Sequence, residues 1–198
     1  MFAEIALIAT TATTAATALH AARLSRRLHT DELTGLGNRA ALARAARRGR
    51  GTVGLLLADL DGFKAINDTY GHDFGNRVLA AVAARLADAA QPGELAARLH
   101  GDEFALWLGP VADPARAELR REQVAAALAA PLWVDGHRLT AAGSVGLALA
   151  PARAPLAALL AAADAHMYQV KAARRAGLAV LPTAPRRTRD QQPPRTAA

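Results

Sequence analysis

The sequence predicts an α+β fold, with helices packed on a central, mostly antiparallel five-stranded sheet. Three observations predict it. Strand-like apolar runs alternate with helical stretches along most of the 198 residues. One run, Thr52 to Asp59, is apolar almost throughout, as a strand covered on both faces must be. In the middle of the chain, Leu95 to His100 and Phe104 to Leu108 flank Gly101 and Asp102 at hairpin spacing.

The elements follow in order. His29 to Asn38 reads as a capped turn holding Gly35 and Gly37, and Arg39 to Arg50 as a helix. After the strand Thr52–Asp59, Gly62 to Asp68 reads as a short helix or turn and residues 71–76 (GHDFGN) as a loop. Asn76 reads as the N-cap of a helix reaching about Ala90. The hairpin comes next, and Pro114 opens a helix ending near Ala130. His137 to Ala150 reads as one strand, Leu156 to about Arg175 as a helix, and Leu178 to Leu181 as a final edge strand. Beyond Pro182 the Pro- and Arg-rich composition predicts disorder. The organisation is then a segment over 1–29, a folded domain over 30–181 and a tail over 182–198.

Composition narrows the chemistry. Hydrophobic residues make up 52% and aromatics only 4%, so the core is built mainly from Ala, Leu and Val. There is no cysteine, which excludes disulfides, thiolate metal sites and cysteine nucleophiles, and is compatible with a reducing cytoplasm. The net charge of +7 invites a nucleic-acid reading. The distribution opposes it. The tail alone carries four arginines, and the cluster Arg39, Arg44, Arg47, Arg48 and Arg50 has no interleaved aromatics, so no specific nucleic-acid partner is predicted.

Residues 5–22 contain no Asp, Glu, Lys or Arg, and Arg23, Arg26 and Arg27 follow. That span is about the minimum that crosses a bilayer. If it inserts, the arginines stay inside and tether a cytoplasmic domain to the inner face of the membrane. The alternative is a helix pairing with its copy in a dimer.

Two acidic clusters carry the functional signal: Asp59 with Asp61, and Asp102 with Glu103. Each sits at the end of an apolar strand, where a carboxylate is costly unless paired. Two such ends brought together make a hard-cation site suited to Mg²⁺ carrying nucleotide phosphates. Strand alternation puts Asp61 on the side of Asp59, as a supporting residue. Lysine usage points the same way. Of 24 basic residues only Lys64 and Lys171 are lysines, which marks both as phosphate-binding candidates in an otherwise arginine-biased chain. His72 reads as a loop histidine fixing a turn, and Trp107 and Trp133 as packing residues.

Four motifs resemble those of the GGDEF domain, the catalytic domain of diguanylate cyclases. They are DELTGLGNR (31–39), DLDGFKAINDTYGHDFGN (59–76), HGDEF (100–104) and DAHMYQVKAARR (164–175). They occur in family order and spacing, and the resemblance covers about residues 30–181. It implies that Asp59 and Asp102 hold Mg²⁺ (or Mn²⁺) with the Leu60 carbonyl. It implies that Glu103 serves the attacking 3′-hydroxyl as base or second metal ligand, in a hairpin that Gly101 lets approach the nucleotide. Lys171 and Arg175 would grip the β and γ phosphates, helped by the amides of Phe63 and Lys64. Asn67 and Asn76 would face guanine. Two domains, each holding one GTP, would meet as a homodimer and release cyclic di-GMP and two pyrophosphates. The alternative is a degenerate GGDEF module that binds GTP or a protein partner without catalysis.

Three positions and one upstream stretch depart from the family pattern. His100 replaces the first glycine of the signature, Asn76 replaces the usual aspartate, and Arg174 stands where glycine is common. Family members with product feedback carry RxxD just upstream; here residues 91–94 are QPGE, so that inhibition is expected to be absent.

Overall fold

The computed structural model describes residues 28–140 and 142–180, together with Thr17 and His20. Its elements are α1 (Arg39–Ala46), β1 (Thr52–Leu60), α2 (Phe63–Tyr70), α3 (His72–Ala89), β2 (Leu95–His100), β3 (Glu103–Pro110), α4 (Pro114–Ala129), β4 (Leu132–Val134), β5 (His137–Leu139), β6 (Gly143–Pro151) and α5 (Leu156–Val180). The main sheet has four strands in the order β2-β3-β1-β6, and β4 and β5 form a separate two-stranded sheet. Each neighbouring pair is antiparallel. The fold is α+β, with a main sheet one strand smaller than expected.

The continuous apolar run of β1 has a direct cause. Its alternate residues serve two cores. Leu56, Ala58 and Leu60 pack with Phe74 and Val78 of α3 and with Val124 and Leu128 of α4. Val53, Leu55 and Leu57 pack with Leu42 of α1 and with Leu159, Ala163 and Met167 of α5. Helices cover both faces, so β1 needs no polar side, and each buried leucine contributes about 2 kcal/mol. Gly146 of β6 lets α5 come close. A Cβ there would overlap the Ala163 carbonyl and lie 2.8 Å from Met167 Cα.

Several boundaries differ from the sequence reading. The GHDFGN stretch is not a loop: α3 begins at His72, so His72 is its first residue and Asn76 lies inside the helix rather than capping it. Gly71, at φ 83°, makes the abrupt change of direction, and Asp73 supplies a carboxylate to the first turn. The expected strand His137–Ala150 is two: β5 pairs back onto β4 across the Asp135–Gly136 turn, and β6 starts afresh at Gly143. Residues Leu178 to Val180 continue α5 instead of forming an edge strand. The helix after Asn38 stops at Ala46. Trp107 is buried as expected, whereas Trp133 is 69% exposed, because β4 turns its middle side chain outward.

Apart from Thr17 and His20, the expected anchor over residues 5–22 lies outside the described residues, as does the tail from 182 onward. Among the described residues no helix is long and apolar enough to cross a membrane.

Candidate active site

The chemistry gathers where β1 ends and β3 begins. The ladder pairs Asp59 with Glu103 on one side and with Ser144 on the other. Directly opposed residues project to the same face, so two carboxylates from different strands meet. Asp102 precedes Glu103 in the two-residue turn, half-buried and without a hydrogen-bond partner among the described residues. Gly101 holds that turn at φ 49°, a backbone conformation that suits glycine. Leu60, the last residue of β1, pairs with Gly143 and buries its side chain, leaving its main chain at the site.

Helix α5 brings the cation. Lys171 Nζ bonds Asp59 Oδ1 and lies 3.4 Å from Asp61 Oδ1. The hydrogen bond it donates to Asp59 raises the Lys171 ammonium above the ordinary lysine range; burial opposes this, and the charges of Asp59 and Asp61 add to it. Asp61 is held by the Ser144 hydroxyl, 3.1 Å from each oxygen, and by Arg174 Nη1 at 3.5 Å. Arg175 follows one position later in the same helix.

Glu103 faces a cleft of about 240 Å³ lined by Arg39, Leu57, His100, Leu160 and Asp164 among others. Burial pushes the Glu103 carboxyl above the usual glutamate range. His100 opposes the rise, and the charges of Asp59, Asp164 and Asp102 reinforce it. His100 is itself mostly exposed, yet its Nε2 lies 3.1 Å from Glu103 Oε2.

A second group stands beside the first, joined through Asp61–Gly62. Helix α2 opens with no side-chain cap, which leaves the amides of Phe63 and Lys64 free of helical partners. Phe63 is buried, while Lys64 is exposed and makes no ion pair among the described residues. The Oδ1 of Asn67 is buried without a hydrogen-bond partner among the described residues, and occupies space that a Cβ on Gly75 would need. Asn76 follows Gly75 on the exposed face of α3.

Sequence reasoning missed Arg98. Its Nε donates to the Gly101 carbonyl at 2.9 Å and its Nη1 to Asp31 at 3.2 Å, so it ties the hairpin turn to the loop before α1. Burial raises the Asp31 carboxyl, but hydrogen bonds from Thr34 and Arg98 outweigh it and hold the group below its usual range. A charge inside the apolar strand LAARLH was the available signal. The larger cavity, about 490 Å³, lies elsewhere, between α4 and the end of the β2–β3 hairpin. There the Glu94 carboxylate is buried against Arg120, with Nη2 at 2.7 Å.

This layout of acidic strand end, acidic hairpin turn and basic helix face matches a known architecture. The profile of the GGDEF family, described as diguanylate cyclase, GGDEF domain, matches residues 28–177. The chain belongs to the GGDEF family. Diguanylate cyclase TpbB from Pseudomonas aeruginosa is 40% identical over 159 residues, which span 76% of this chain and 37% of that protein. Diguanylate cyclase DgcN from Escherichia coli is 38% identical over 161 residues, 76% of this chain and 38% of its own. The chain thus spans less than two fifths of the length of these curated relatives. The solved GGDEF domain of TpbB superposes with a TM-score of 0.65 at 40% identity, covering 73% of this chain and 90% of that one.

The donor set of this GGDEF domain suits a hard divalent cation. Among the described residues no three metal-ligating side chains already converge as a cluster. Yet the carboxylates at the strand ends have drawn the chain's own ammonium onto Asp59. Asp59, Asp102 and the Leu60 carbonyl are oxygens at this end of the sheet that could hold such a cation.

Proposed function

We propose that the domain is a diguanylate cyclase that condenses two GTP molecules into cyclic di-GMP, releasing two pyrophosphates, within a two-fold homodimer. One observation carries the reading: Asp59 and Glu103 oppose each other across β1 and β3, with Lys171 of α5 over the same spot. The bound metal would neutralise the triphosphate and polarise the α-phosphorus for attack.

The chain's own residues position the rest. Lys171 and Arg175 hold the β and γ phosphates, and the opening amides of α2 at Phe63 and Lys64 add neutral donors. The orphaned Asn67 Oδ1 accepts a hydrogen bond from the guanine edge, with Asn76 as its neighbour. Glu103, its carboxyl raised by burial, takes the proton of the 3′-hydroxyl as general base. Gly101 lets the hairpin approach the nucleotide. The two active halves must come from two copies, because each site holds one GTP and each 3′-hydroxyl attacks the other's α-phosphate. Positioning and charge neutralisation supply most of the rate.

A second reading is a GGDEF module that binds GTP or a protein partner without turnover. The contact between His100 and Glu103 favours it, since the imidazole engages the group that must accept the proton. Incubating the full chain with Mg²⁺ and GTP, with ATP in parallel, and identifying products by mass spectrometry separates the two. Cyclic di-GMP that disappears in Asp59→Asn protein supports the cyclase. Bound GTP with no product supports the binding module.

A further inference from the structure

Lys171 stands between two carboxylates that are held very differently. Asp61 is a fixed anion. Its amide donates to the Ala142 carbonyl at 2.8 Å, and the fully buried Ser144 donates its hydroxyl to the carboxylate. Arg174 Nη1 reaches Asp61 Oδ2 while donating to the Gly143 carbonyl at 2.9 Å, which leaves Oδ1 toward Lys171. Asp59 is different. The one hydrogen-bond partner of its carboxylate among the described residues is the Lys171 ammonium itself. An ammonium and a divalent cation cannot both sit on the Asp59 carboxylate, because like charges so close repel strongly in a partly buried site.

We propose that Lys171 is the resident counter-ion of the Asp59 site: it keeps free divalent metal out until nucleotide phosphates draw the ammonium away, and Asp61 is the positioning residue that keeps it within their reach. This rests on reading the site as one for a metal–nucleotide pair. It means that metal and nucleotide load together. Arg174, a departure from the family pattern, belongs to the same device because it clamps Asp61 from the other side.

The test is binding of Mn²⁺ to the full chain, followed by electron paramagnetic resonance, with and without a GTP analogue carrying a methylene bridge between the α and β phosphorus atoms. The wild type is expected to bind free Mn²⁺ weakly. Lys171→Gln should tighten free Mn²⁺ about tenfold, as loss of one charged hydrogen bond from Asp59 allows, while weakening the analogue. Lys171→Arg keeps the cation and should leave free Mn²⁺ affinity within about twofold of wild type. Circular dichroism establishes that each variant is folded. A folded Lys171→Gln protein with unchanged or weaker Mn²⁺ affinity overturns the inference. Asp59→Asn checks the underlying reading on its own: if it binds Mn²⁺ with analogue as well as wild type does, the metal site is misassigned and the counter-ion role falls with it.

Discussion

Asp59 on β1 and Glu103 on β3 are register partners, so the two carboxylates share one face of the sheet at its open end. Burial lifts the Glu103 carboxyl above its usual range; His100 opposes the rise, and repulsion from Asp59 adds to it. The fold therefore favours the protonated form. The stabilisation is fully present below the unfolded-state value and is lost as pH rises through the raised folded value. Glu103→Gln is expected to melt higher than wild type at neutral pH, with the difference shrinking as the solution is acidified. Its turnover should fall about a hundredfold or more. Calorimetry across pH and a product assay check both; a lower melting point at neutral pH would contradict the burial argument.

Asp102 occupies the hairpin turn half-buried, with no hydrogen-bond partner for its side chain among the described residues. Asp102→Ala should leave the unfolding free energy within about 0.5 kcal/mol of wild type, as loss of a side chain without such a partner does. Turnover should drop about a hundredfold or more if the carboxylate is a metal ligand. Full activity would remove Asp102 from the metal site.

Two glycines test the difference between a site and a scaffold. A Cβ on Gly75 overlaps the Asn67 side-chain oxygen, a group that can swing away. Gly75→Ala should therefore weaken nucleotide binding by about 1–3 kcal/mol, one misplaced hydrogen bond, with little loss of stability. A Cβ on Gly146 overlaps the backbone of α5 at Ala163 and Met167, which cannot move alone. Gly146→Ala should cost about 3 kcal/mol of stability and displace the helix that carries Lys171. Isothermal titration and urea unfolding of both variants check the contrast. Equal stability losses would mean that Asn67 is packed in place rather than held ready for ligand.

Asn76 lies on the exposed face of α3 and plays no capping role, so its amide is free to meet a base. An amide offers one acceptor and one donor group, whereas guanine's edge presents two donors. Asn76→Asp is expected to raise the preference for GTP over ATP about tenfold, one hydrogen bond's worth. Competition binding with the two nucleotides measures it, and an unchanged ratio would take Asn76 out of base selection.

Arg120 donates to Glu94 through Nε at 2.9 Å and Nη2 at 2.7 Å, and both side chains are nearly buried. Arg120→Ala strands a buried carboxylate and should cost about 3 kcal/mol in urea unfolding. Glu94 ends the stretch QPGE, whose departure from RxxD leads to the expectation of no product feedback, and its carboxylate is engaged by Arg120. Added cyclic di-GMP should leave initial rates unchanged; inhibition would mean that the cavity beside Arg120 binds the product after all.

Much of this was legible in the residues because the signals were local. The apolar run of β1 announced a strand buried on both faces, and the spacing of Leu95 to Leu108 announced a hairpin. The acids at their ends marked where carboxylates would gather, and the structure brings Asp59 and Glu103 opposite each other there. Where local signals were ambiguous, the reading went astray. Asn76 has cap chemistry, but Gly71 had already turned the chain and α3 was under way. The run after His137 has strand composition throughout, yet β5 finds its partner in β4, a pairing decided across a turn.

The sequence by itself determined the α+β class, the strand that carries the acids and the residue types available for metal, phosphate and base. Those follow from periodicity, turn chemistry and the cost of stranding charge in apolar surroundings, all of which act within a few residues. Only the tertiary structure decided which charges meet. Lys171 reaches Asp59 from 112 residues away, Arg174 and Ser144 converge on Asp61, and Arg98 bridges Asp31 to the Gly101 turn. No spacing rule contains these contacts, because each joins elements far apart in the chain; those of Lys171 and Arg174 depend on how closely α5 packs on β6, where Gly146 leaves no Cβ to hold it off.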